Sequence, residues 1–330
     1  MKLTSYPADY SSAYDDNYFC FEEVDVAAPT EVTFISEDSS TVGVKRYAPS
    51  EPLLASPRSL LQRLIAPTPY LSDKCGCLAP SNRVAAIAVA FNDGAESSPV
   101  VHFTASHTAT PEGAVMGERV QSRTIAAGEC DELAFRASQG DKLIVTCQFE
   151  GSVTPHIIYV GDVATEGINL FVVSCNSILS RSQTPTSVTA FKLTFTLAGE
   201  SLAVLNYRVV SATKGATRLA WLNRDGYISY HTFRTPAEER VMTSRSECQT
   251  PSGTLTLGVE SWRESTLRSG FLPAKEMEVL AGLVSSPRIW KIADGAFEPQ
   301  TLLSHTTITG GSGAQTMEVT IRPSKTTSQR

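Results

Sequence analysis

Between residues 70 and 180 no helix of ordinary length can be placed, and this limits the fold more than any other feature of the chain. Short segments of β-formers follow one another instead. Residues 82–106 read as strand, Asn92-Asp93-Gly94 turn and strand, and further strands are expected at 132–137, 142–149, 156–160 and 168–174. Gly128, Gly140, Gly151 and Gly161 punctuate them at the spacing of a β-sandwich. The region 26–180 is therefore expected to be all-β, as one sandwich or as two smaller ones.

Upstream, residues 1–25 are polar and tyrosine-rich with little periodicity, and read as an N-terminal arm. Tyr6, Tyr10, Tyr14, Tyr18 and Phe19 are anchor types that would hold such an arm to a neighbouring molecule. From Glu31 apolar and polar residues alternate, and Glu37-Asp38-Ser39-Ser40 turns the chain into a second strand at 42–47. Ser56 as N-cap and Pro57 as first helical residue then open a short helix carrying Leu60, Leu61, Leu64 and Ile65, stopped by Pro67 and Pro69.

The polar stretch 181–187 reads as a linker. Beyond it, residues 188–323 are expected to form a β-rich α+β domain with one short helix, and 324–330 a loose tail. Within that domain the run LAWLNRDGYISYHTF, residues 219–233, places Leu219, Trp221, Ile228 and Tyr230 on either side of Asn223-Arg224-Asp225-Gly226. Its Asp-Gly pair tolerates the positive φ of a tight hairpin. Met277, Leu280, Ala281 and Val284 lie at helical spacing, after which Ser286-Pro287 ends the helix before an extended Ile289-Trp290-Lys291-Ile292. The overall expectation is a mainly β protein.

Composition narrows the function classes. A formal charge of −6 with scattered Lys and Arg gives no electrostatic footprint for nucleic acid. The longest apolar run, residues 84–91, falls far short of the ~20 residues of a membrane-spanning helix. The opening MKLTSYPADYSSAYDDNYF lacks the cationic and apolar regions of a secretory signal. Seven cysteines, an odd number, then read as reduced.

Motifs that carry chemistry are thin. Cys75-Gly-Cys77 could offer two thiolates on one side of a strand, but no second pair completes a four-ligand zinc set. Cys130 and Cys147 flank neighbouring strands and read as small buried hydrophobes. His102, His107, His156, His231 and His305 are spaced as structural histidines. Gly310-Gly311-Ser312-Gly313-Ala314 comes near a nucleophile elbow, yet a strand follows where that elbow needs a helix. Glu238-Glu239, beside Arg234 and Arg240, read as a solvated loop. Trp221, Trp262 and Trp290 would make a sugar-stacking platform only if exposed and coplanar. No catalytic, cofactor-binding or metal-binding residue is assigned, and no enzyme is expected.

The hairpin WLNRDGYISYHTF, followed by a leucine-rich helix, Ser-Ser-Pro-Arg-Ile-Trp and a terminal hairpin, resembles the C-terminal domain of a virion structural family of tailed phages and prophages of Bacteroidetes-type bacteria. The order Val42-Gly43-Val44-Lys45-Arg46-Tyr47 and a short amphipathic helix is also similar to that group. The resemblance implies a tail-tip, baseplate or ring component that assembles through protein–protein interfaces, and it implies no catalytic residues. Its expected partners are copies of itself and other virion or tail proteins, with no nucleic acid and no membrane. Its expected location is the virion, after synthesis in the bacterial cytoplasm. The competing expectation is a carbohydrate-binding or adhesin-type β-sandwich, with a host-surface glycan as partner.

Overall fold

The computed structural model describes the chain except residues 81, 93, 183–184, 294, 311–314, 325–326 and 330, and the side chains of 186, 304–310 and 327–329. Strands dominate; among the described residues the α-helices are Arg58–Leu64, Cys175–Leu179 and Ala274–Ala281. The Asn-Asp-Gly turn and the Gly310–Ala314 tip, both expected from sequence, include residues outside the described set.

The first unit packs a small sheet of Lys2–Ser5, Phe19–Glu22 and Leu53–Ala55 against a larger one. The larger is ordered Ser11–Ser12, Val101–Thr104, Val84–Phe91, Thr30–Ser36, Thr41–Tyr47. Phe19, Phe21, Val32, Phe34, Ile87, Val89 and Phe103 fill the space between, with Leu61 of the first helix beneath. Residues 1–25 are thus no arm. Phe19 and Phe21 are fully buried, Ser11–Ser12 pairs parallel with Phe103–Thr104, and Tyr10 and Tyr14 stack on His102 and His107. Of the aromatic anchors expected to grip a neighbour, Tyr10, Tyr14 and Phe19 grip the chain itself, and Tyr6 and Tyr18 are exposed. The helix also starts one residue later than expected, with Pro57 at the N-cap and no side-chain cap.

The second unit is a sandwich of two sheets. One is ordered Val120–Ala126, Glu200–Val210, Ala190–Leu197, Lys142–Phe149, His156–Asp162, and the other Cys130–Ala137, Gly167–Ser174, Gly76–Leu78. The region 26–180 therefore contributes to two sandwiches. The stretch 181–187 is not a domain boundary either: Ala190–Leu197 pairs antiparallel with Lys142–Phe149, so the chain returns to the sheet it left. Phe195, Leu193 and Leu205 complete the second core against Leu143, Val145, Phe135 and Phe171, and a break at 181–187 would open it to water.

The third unit is one long sheet ordered Ile228–Phe233, Thr217–Leu222, Ile289–Ala293, Ala296–Gly310, Gln315–Pro323, Gly253–Arg268, Glu238–Thr250. The 219–233 hairpin forms as the sequence indicates, with the Gly226 amide donating to Asn223 O at 3.0 Å and Gly226 at φ +81°. Every residue of Thr217–Leu222 is buried because the strand serves two cores. Leu219 and Trp221 point to the helix Ala274–Ala281, with Met277, Leu280, Leu267 and Val319. Ala220 and Leu222 point the other way, with Ile228 and Trp290, into the first unit's core.

Candidate functional site

Where the three units meet, the strand Cys130–Ala137 begins with a run of acids, Glu129-Cys130-Asp131-Glu132. Asp131 and Glu132 are successive strand residues and face opposite sides, Glu129 stands just before the strand, and each of the three meets a different arginine. Asp131 turns into the second unit, accepting from Arg123 Nη1 at 2.7 Å and from the Tyr207 hydroxyl at 3.0 Å. Glu132 turns to the other units: its Oε1 accepts from Arg83 Nη2 at 2.7 Å and its Oε2 from the Tyr230 hydroxyl at 3.0 Å. Glu129 accepts from Arg218 Nη1 at 2.6 Å and from the Thr232 hydroxyl at 2.6 Å. Arg83 belongs to the first unit, Arg123 to the second and Arg218 to the third.

Burial shapes the electrostatics of this junction. The Arg83 and Glu132 side chains are 1% and 0% exposed. Removal from water pushes the Tyr207 and Tyr230 hydroxyls well above the ordinary tyrosine range, and Asp131 and Glu132 respectively add to the effect, so both phenols stay protonated donors. Arg218 also donates to Cys130 O and lies 5.2 Å from the Tyr230 ring centre. Charge, hydrogen bonding and an aromatic face together cement three sheets.

Beside it lies an open cleft of about 470 Å³ lined by Leu71, Ser72, Glu129, Cys130, Ser174 and Arg218. Glu129 and Arg218 already neutralise one another there. The Cys130 thiol donates to Ser72 O, and burial raises its pKa, the opposite of nucleophile activation.

The other sequence candidates are dispersed. All seven cysteines are free. Cys75 and Cys77 both pack on the second core, Cys75 exchanging hydrogen bonds with the Ser174 backbone, and burial pushes Cys77 up to about 11. Cys147 and Cys175, in the same core, are pushed up to about 12 by burial. His102 lies 2.9 Å from Asp9, and His156 tilts against Phe149. His231 is buried edge-on to Phe233, and desolvation lowers it to about 3. The side chain of His305 lies outside the described residues. Among the described residues no group of three or more His, Cys, Asp or Glu is arranged to hold a metal ion. No helix among them is long and apolar enough to cross a membrane.

Trp221 and Trp290 are buried in different cores, so the three tryptophans form no shared platform. Trp262 instead sits on a feature only half legible in sequence, where the alternation of Thr254–Val259 marks a strand and nothing marks its partner. Glu238–Thr250 and Gly253–Arg268 form a hairpin of 13 and 16 residues that projects from the third unit. Glu238-Glu239, read as a loop, are its first two residues. Its outer strand is exposed over 238–247 on both faces, and Val241, Met242, Leu255 and Leu257 are 70, 40, 54 and 58% exposed.

Comparison with known proteins places no label on this arrangement. The chain matches no family model and no curated protein. The two positive features are thus the arginine–carboxylate junction, which ties the three units together, and the exposed ribbon, which leaves them.

Proposed function

We propose that the chain is a structural virion component of a tailed phage or phage-like particle, tail-associated, working through oligomeric protein–protein interfaces. The observation that carries the reading is the projecting ribbon. A two-stranded hairpin is marginal at best in water, because it buries little apolar surface against the cost of ordering its backbone. The ribbon's inner strand pairs with Gln315–Pro323 over 265–268 and with Thr327–Gln329 over 259–261, so the two-stranded part is the distal stretch 246–258, about 15 Å long at ~3.3 Å per residue; Leu255 and Leu257 are exposed there, and Val241 and Met242 on the edge below. Contact with a partner supplies the missing burial. The rigid junction suits the same role, since a body that transmits load between neighbours needs its units fixed to one another.

The similarity of the 219–233 hairpin, the following helix and the Ser-Pro strand to the virion family supports placing the partners among copies of the chain and other tail proteins. Native mass measurement of the full chain, together with its presence in purified particles, tests the proposal. A closed oligomer or particle incorporation is expected. A strict monomer that binds glycans overturns it in favour of an adhesin.

A further inference from the structure

The outer strand of the ribbon, Glu238–Thr250, ends the third unit's sheet. On its inner side it pairs with Gly253–Arg268; its outer row of N–H and C=O groups meets no strand among the described residues. It contains no proline, and the ribbon's extra residue, Leu257, lies on the inner strand opposite the Ser246–Glu247 step. Neither proline nor shortness blunts this edge; charged side chains occupy it, and they decide what can pair with it.

We propose that this edge pairs antiparallel with the same edge of a second copy of the chain, across a two-fold axis passing beside Met242. The inference rests on the assembly reading above and names its partner at the ribbon. Symmetry and charge select the register. A two-fold normal to the sheet leaves its faces in place, so opposed residues must share a face, and each register pivots on one residue facing its own copy. Among pivots from Arg240 to Cys248, those on Arg240, Thr243, Arg245 and Glu247 oppose like charges. Pivots on Val241, Ser244 and Cys248 oppose no charges at all. Unlike charges meet only for pivots on Met242, which sets Glu239 against the second copy's Arg245 twice, and on Ser246, which sets Arg245 against Glu247. The Ser246 pivot falls at the register shift, where a bulge disturbs the ladder and increases twist. The Met242 pivot lies on regular ladder and brings each exposed methionine, already aligned with Trp262 on its own ribbon, against its copy.

The charges are free for this use. Arg245 has no ion pair among the described residues, and Glu239 reaches Arg263 only at 3.7 Å with both side chains more than half exposed. Joining the two outer strands fuses the third-unit sheets of both copies into one and removes both open edges.

The test is sedimentation of the full chain over a concentration series at low salt. Glu239→Arg and Arg245→Glu should each weaken self-association about tenfold, and the double variant, which restores opposite charges, should recover it. Glu239, Met242, Arg245 and Ser246 are exposed and Cys248 is half-buried at the edge, so each variant is first checked for native circular dichroism. In a Cys248→Ser background, mild oxidation of Met242→Cys should give a cross-linked dimer, while Ser246→Cys should not. A monomer at every concentration, self-association unmoved by charge reversal, or cross-linking at position 246 instead of 242 overturns the proposal. A chain that is monomeric alone yet present in particles refutes this pairing and leaves the assembly reading standing; intact pairing with absence from particles does the reverse.

Discussion

Replacing Glu132 by Gln should cost about 3–5 kcal/mol, the range for leaving one member of a buried ion pair uncompensated. The structure places it at the upper end of what a single isosteric change can do. Arg83 is 1% exposed, and its Nε and Nη1 have no hydrogen-bond partner among the described residues. Its charge therefore depends on Glu132 and on Thr68 O, 3.1 Å from Nη2. Arg83→Met should cost a similar amount, since it leaves the Glu132 carboxylate with only the Tyr230 hydroxyl and the Ile228 amide. The double replacement Arg83→Met with Glu132→Leu removes both charges. It leaves the Tyr230 hydroxyl and Thr68 carbonyl short of partners, a penalty of about 1–3 kcal/mol. The double mutant should thus be more stable than either single, with a coupling of several kcal/mol. Urea unfolding followed by circular dichroism at pH 7 measures all four proteins. Additive costs, or single replacements each below about 1 kcal/mol, would refute the account of Glu132 as the charge that permits Arg83 to be buried.

Other outcomes follow from the same geometry. Trp221→Ala should cost about 3–5 kcal/mol in the same urea assay, because a fully buried indole leaves a cavity under the helix Ala274–Ala281. Gly226→Ala combines a strained φ of +81° with a Cβ only 2.5 Å from Ser106 N, so it should destabilise by more than the ~1 kcal/mol of strain alone, read as a lower midpoint. His231 is held near 3 when folded and returns to 6.5 when unfolded, so the unfolded chain binds the extra proton between those values. Stability from this group is present above pH 6.5 and is lost as pH falls toward 3, by about 3 kcal/mol at pH 4. A His231→Gln variant should show a shallower acid slope than the wild type. Cys147 and Cys175, buried and raised to about 12, should resist thiol reagents at pH 8 until the chain is unfolded; prompt labelling in native buffer would contradict their placement.

The 219–233 hairpin is legible in sequence because two signals agree there, apolar residues on both sides of the strand and a turn whose Gly226 needs positive φ. The N-terminal sheet is not, because Phe19 and Phe21 show their alternation over only the four residues Phe19–Glu22. The linker reading at 181–187 fails for a different reason. Polar composition marks a surface loop equally well whether the next strand founds a new sheet or rejoins an old one, and Ala190–Leu197 rejoins. In the candidate site, the acids of Glu129–Glu132 are visible, but the arginines that answer them lie 49, 8 and 89 residues away, with no local pattern linking them. Two acids at the start of the buried strand Cys130–Ala137, with a third just before it, are the available signal. The outer ribbon strand is invisible because EERVMTSRSECQT has no inside and no outside to alternate between.

The strand Thr217–Leu222 lends a face to each of two interiors, and that has a consequence for how the molecule is made. At synthesis rates of ~5–20 residues per second, the first hundred residues leave the ribosome some ten seconds before Ala220 and Leu222 arrive to join their core. During that interval the apolar core lacks the residues that complete it, and the late, distant contacts that supply them make folding slow. A fragment ending before residue 217 would carry the same wound permanently and should precipitate on its own, while the whole chain stays in solution.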